Sequence, residues 1–167
     1  MMRNFLSVSA LLLGIVMSAP AKACMGEDEI VLDDVKYADT VVVGWISNYK
    51  VITPEGRKRG YIWDYARFEV RVDEVLKGQA DQTLTVTWDN STFGEPDEIP
   101  PGPYLIALRN PDSNTIPPLR GPSATIFPRP EPDAPTLLQA PCASPFMFES
   151  TSKKAVALRK ILRTAQR

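Results

Sequence analysis

The chain has no histidine and only two cysteines in 167 residues. Without an imidazole there is no Ser-His-Asp or Cys-His nucleophilic centre and no His-ligated zinc. No Cys-x-x-Cys occurs, which argues against a thiol redox centre. A glycine-rich phosphate loop after an apolar run is also missing. Ser150-x-x-Lys153 stands without the companion motifs of penicillin-binding enzymes. The carboxylate pairs Asp73-Glu74 and Asp97-Glu98 are sequence neighbours, and neighbours on a strand face opposite ways, so they make poor acid/base dyads. These gaps point to a protein that is not an enzyme, uses no cofactor and holds no metal of its own.

An apolar run long enough to span a bilayer is likewise absent. The longest, Leu6 to Met17, falls short of the roughly 20 residues a transmembrane helix needs. With Arg3 before it and Ala21-Lys22-Ala23 after it, residues 1–23 read as a secretory signal peptide. The mature chain would then begin at Cys24 and be periplasmic or extracellular. Cleavage removes Arg3 and Lys22 from 19 basic residues and nothing from 20 acidic ones. The slightly acidic remainder gives no case for nucleic acid. In an exported chain the lone pair Cys24 and Cys142 reads as a disulfide. For so long a loop, chain entropy sets an upper value of about 4–5 kcal/mol.

What is present is mainly β. From Ala66 to Gly78, residues 66, 68, 70 and 72 are apolar and alternate with Arg67, Glu69, Arg71 and Asp73, the period of a half-buried strand. The pattern breaks at Asp73-Glu74, as at a bulge. Thr40 to Ile46 is β-branched and aromatic, a strand buried over much of its length, and Gly44 within it suggests a kink that lets one strand serve two sheets of a small barrel. Thr53-Pro-Glu-Gly56 reads as a turn. Leu84, Val86 and Trp88 alternate with threonines, and Tyr104 to Leu108 is the strongest apolar run of the second half. Residues 96–145 hold 14 of the 16 prolines, so 110–135 reads as a long proline-rich loop. The chain is expected back in the barrel at 136–140 or 146–148.

Two helices flank these strands. Val31, Val35 and Ala38 share a helical face behind the acidic Glu27-Asp28-Glu29. At the other end Ala155, Leu158, Leu162 and Ala165 form a stripe with a basic back, capped from Ser150, Thr151 or Ser152. The expected division is a signal peptide at 1–23, a barrel domain at 24–150 and a basic helix at 151–167. Candidate ligand surfaces are the aromatic row Tyr61, Trp63 and Tyr65, and the loop at 110–135.

The order of segments resembles the netrin-like barrel of the tissue inhibitors of metalloproteinases and their bacterial relatives. The resemblance lies in an N-terminal Cys, Ala38-Asp39 leading into Val41-Val-Val-Gly44, Phe68-Glu-Val70 running to Leu76-Lys-Gly78, Leu84-Thr-Val86, Gly102-Pro-Tyr-Leu-Ile106 and the late Cys142. It covers roughly residues 24–148 and implies a five-stranded OB-like barrel, closed or partly open. In those inhibitors the first mature Cys chelates the target's zinc through its α-amine and carbonyl, and Cys24 with Met25 would occupy that edge. The sequence departs from the family at Gly26, where a second Cys is usual, and at Met25, where a small polar residue is usual. Three expectations follow: an exported module that binds another protein, a metalloprotease inhibitor acting through Cys24, or an envelope-associated module that is lipid-anchored at Cys24 or binds oligosaccharide.

Overall fold

A computed structural model describes residues 30–57, 64–89, 95–117, 128–141 and 143–165. After a 3-10 helix at Leu32–Tyr37 come six strands, β1 (Thr40–Ile52), β2 (Tyr65–Lys77), β3 (Thr83–Trp88), β4 (Pro103–Arg109), β5 (Thr136–Leu137) and β6 (Met147–Glu149), then helix α1 (Lys153–Ala165). The strand order is β1-β2-β3-β5-β4, and β4 pairs back onto β1. This closes a five-stranded mixed barrel of OB-like topology, with β6 as an extra strand on β4. Among the described residues the parallel contact, between β3 and β5, is the single pair Thr87↔Thr136.

β1 holds the barrel together because it pairs with β2 along its length and with β4 over Thr40–Trp45. Gly44 permits this. A Cβ there would stand 2.3 Å from the Arg71 carbonyl oxygen and 2.9 Å from Val70 Cγ1. Opposite it, Gly44 pairs with Val72 while Val43 pairs with Glu74, so Asp73 is an extra residue on β2. The break in alternation at Asp73-Glu74 is therefore a bulge. A further irregularity puts Asn48 at φ 53° and shifts the register between Ser47 and Lys50. As a result Ile46 and Tyr49, three residues apart, both pack toward the lumen.

Two apolar layers result. Val42, Phe68, Val70, Val86, Ile106 and Leu108 fill the lumen. Val41, Val43, Leu105 and Ala107 point outward, yet are buried beneath Leu138, Phe146, Phe148 and the Ala155–Leu158–Leu162 stripe of α1. β4 and the first part of β1, Thr40 to Gly44, are thus covered on both faces, which is why these stretches run apolar without alternating.

The helices differ in detail from expectation. The first is 3-10 rather than α, and its three-residue repeat puts Leu32, Val35 and Ala38 toward the core. Val31, expected on the buried face, is 42% exposed. Ala165 is exposed beyond the end of the α1 stripe. The stripe of α1 belongs to the outer apolar layer, and Arg159 bridges to Glu74 at 2.8 Å. Ser152 is its cap, with Oγ accepting the Ala155 N–H at 3.2 Å. Ser152→Ala is expected to destabilise by about 1 kcal/mol. An unchanged urea midpoint would mean that another group caps the helix.

Candidate binding face

Among the described residues, α1 and the outer apolar layer do not reach one wall of the barrel. It consists of the first half of β2, β3 and the second half of β1, with Lys50, Arg67, Glu69 and Thr85 on its outer surface. A cleft of about 430 Å³ opens there, with Asn48, Tyr49 and Phe68 completing its lining. The Asn48 irregularity builds its floor, because Tyr49 turns in over Phe68 with ring centroids 6.1 Å apart. Beside it runs a groove of about 530 Å³ between Asp81 and Thr83–Thr85 on one side and Pro130–Pro135 on the other. Arg67 and Thr85 line both.

The two spaces meet at one polar junction. Glu131, set between Pro130 and Pro132, accepts a hydrogen bond from Tyr65 Oη at 3.1 Å and faces Arg67 Nε at 3.2 Å. Burial, then the Glu131 hydrogen bond and charge, raise the Tyr65 pKa, and Arg67 partly offsets this. The phenol therefore stays protonated and remains a donor. Asn48 Nδ2 donates to Glu69 Oε2 at 2.8 Å and fixes the carboxylate of the cleft.

At the end of the barrel below the cleft, Tyr49 Oη donates to the Pro96 carbonyl at 2.6 Å. Its pKa is pushed upward by burial and then by Glu95 and Asp97. Asp89, just past β3, is raised to about 6 by burial and then by Glu95. The folded form therefore holds a proton that the unfolded chain has released, so this contribution to stability is present below about pH 4 and lost as pH rises through about 6. Asp89→Asn is expected to flatten that decline. A melting temperature that falls as steeply from pH 4 to 7 in the variant would show that another group is responsible.

Of the residues singled out in the sequence, Cys24, Met25, Tyr61, Trp63 and Cys142 lie outside the described residues. The disulfide and the chelating edge lie there too. Tyr65 opens β2 and contacts Glu131 of the proline-rich loop, so two surfaces expected separately converge. Arg67, Glu69 and Thr85 drew no notice as site residues, because in sequence they are only the wet half of an alternation. The one available clue was Glu131, an acid held rigidly between prolines.

Among the described residues no group of three or more His, Cys, Asp or Glu is placed to hold a metal ion. No helix among them is long and apolar enough to cross a membrane. No protein-family model matches the sequence, and no curated protein matches it closely enough to count as a relative.

Proposed function

We propose that this chain is an exported binding module of netrin-like type whose partner, another protein, docks on the β2–β3 face. The observation that carries this is the junction of Tyr65, Arg67 and Glu131. It draws the loop between β4 and β5 toward the start of β2, where the loop between β1 and β2 ends, on a wall that α1 does not reach. OB-type barrels use this wall and these two loops as a binding surface, for oligonucleotides and oligosaccharides. Here the wall offers threonine hydroxyls and charges of both signs, which suit a protein partner. Protease inhibition through Cys24 and Met25 draws no support from the described residues.

A photocrosslinking side chain at Lys50, on this face, and another at Val156, 59% exposed on α1, provide the test in the cells that export the protein. Adducts are expected from position 50 and not from 156. Equal capture at both positions, or capture at 156 alone, would move the interface elsewhere.

A further inference from the structure

Among the described residues, β3 has a partner along the whole of one side and, along the other, only at Thr87. The Thr87 N–H donates to the Pro135 carbonyl at 3.0 Å, and Thr136 Oγ1 donates to the Thr87 carbonyl at 3.2 Å. Thr87 thus turns its backbone groups away from β2. On the β2 side, the Val72 N–H donates to the Gln82 carbonyl at 2.9 Å, which assigns even-numbered residues here to the β2 ladder. By this alternation Thr83 and Thr85 direct N–H and C=O outward, as Thr87 does. Thr87 meets β5, but among the described residues no strand lies beside Thr83 or Thr85.

The sequence explains the gap. Were β5 prolonged backward along β3, Pro135 would face the Thr85 carbonyl, and proline has no N–H to give a ladder. Glu131 is held instead by Tyr65 and Arg67. The segment stands off from β3 and leaves the 530 Å³ groove. Natural edges are usually blunted by lysine, proline or a bulge on the edge itself, whereas the outward residues of this one are threonines.

We propose that the groove receives an extended, basic segment of a partner protein, which adds to β3 as a further strand. The Thr83 and Thr85 backbone groups supply the ladder. The walls set the charge. Asp81 and Asp133 line the groove with no ion pair among the described residues, while Arg67 is already matched by Glu131. Lysine or arginine at alternate positions of the guest would meet these two carboxylates. This specifies the partner of the binding module proposed above and rests on that reading.

Hydrogen exchange followed by NMR on the mature exported protein tests it, with two hexapeptide probes, alternating Lys-Val and alternating Glu-Val. In the free protein the Thr85 amide is expected to exchange faster than those of Leu84 and Val86. The Lys-Val peptide should slow Thr85 by about tenfold or more, the equivalent of one hydrogen bond, and the Glu-Val peptide should not. Thr85→Pro removes the outward N–H and leaves the β2 ladder whole, so it is expected to weaken Lys-Val binding by about tenfold or more. A Lys-Val peptide N-methylated along one edge should lose binding to the unaltered protein, a readout independent of how the variant folds. Unchanged Thr85 exchange with the Lys-Val peptide, equal binding of both charge types, or full binding of the methylated peptide would each overturn strand addition. Crosslinking at Lys50 that survives Thr85→Pro would overturn it while leaving the wider face standing. Protection of Thr85 by the Lys-Val peptide without any adduct at Lys50 would uphold the groove and refute the wider face.

Discussion

Gly44→Ala is expected to lower the free energy of unfolding by about 3 kcal/mol or more, the upper end for overpacking. The added methyl meets the Arg71 carbonyl oxygen at 2.3 Å, and that oxygen belongs to the backbone of a paired strand. Relief requires β1 and β2 to separate where the Asp73 bulge already distorts their ladder. β4 is paired to the other side of Gly44 through Tyr104, so β1 cannot retreat without loosening a second seam. Urea denaturation measures the effect. A loss below about 1 kcal/mol would show that the bulge absorbs the methyl group.

Phe68→Ala is expected to cost about 3–5 kcal/mol through the cavity it leaves in the lumen. Phe68 is among the largest fully buried side chains and supports the Tyr49 ring above it. Since it also floors the cleft, the variant should lose crosslinking at Lys50 even where it remains folded. Phe68→Leu keeps most of the volume and should cost less than about 1.5 kcal/mol. If Phe68→Ala unfolds at the wild-type urea concentration, the lumen must collapse around the gap.

The barrel was legible in the sequence where burial is one-sided. Ala66, Phe68 and Val70 alternate cleanly because β2 has one wet face, and the residues expected inside are those found inside. Gly44 and Asp73-Glu74 announced the bend because each breaks a pattern that nothing else requires. Both proposed returns to the barrel exist, as β5 and β6. The 3-10 turn was hidden because Val31, Val35 and Ala38 fit an α period as well as Leu32, Val35 and Ala38 fit a period of three. The junction at Glu131 was hidden for a different reason. Its three members become neighbours only when the barrel closes, and no local period links Tyr65 and Arg67 to an acid more than sixty residues away.

The seam at Thr87↔Thr136 also dictates an order of assembly. β1, β2 and β3 are consecutive and can zip as a meander, whereas β5 returns only after β4 and the proline-rich loop, and joining such distant segments carries the larger loop-closure entropy. Until that seam forms, the lumen is an open sheet with Phe68, Val70 and Val86 facing solvent. In pulse-labelled refolding, Val70 and Val86 amides are expected to gain protection before Thr87. Simultaneous protection of all three would mean that the barrel closes in a single step. The chain therefore presents its stickiest surface during the interval before residue 136 arrives, and its rate of closure decides how long it is open to aggregation, whatever its final stability.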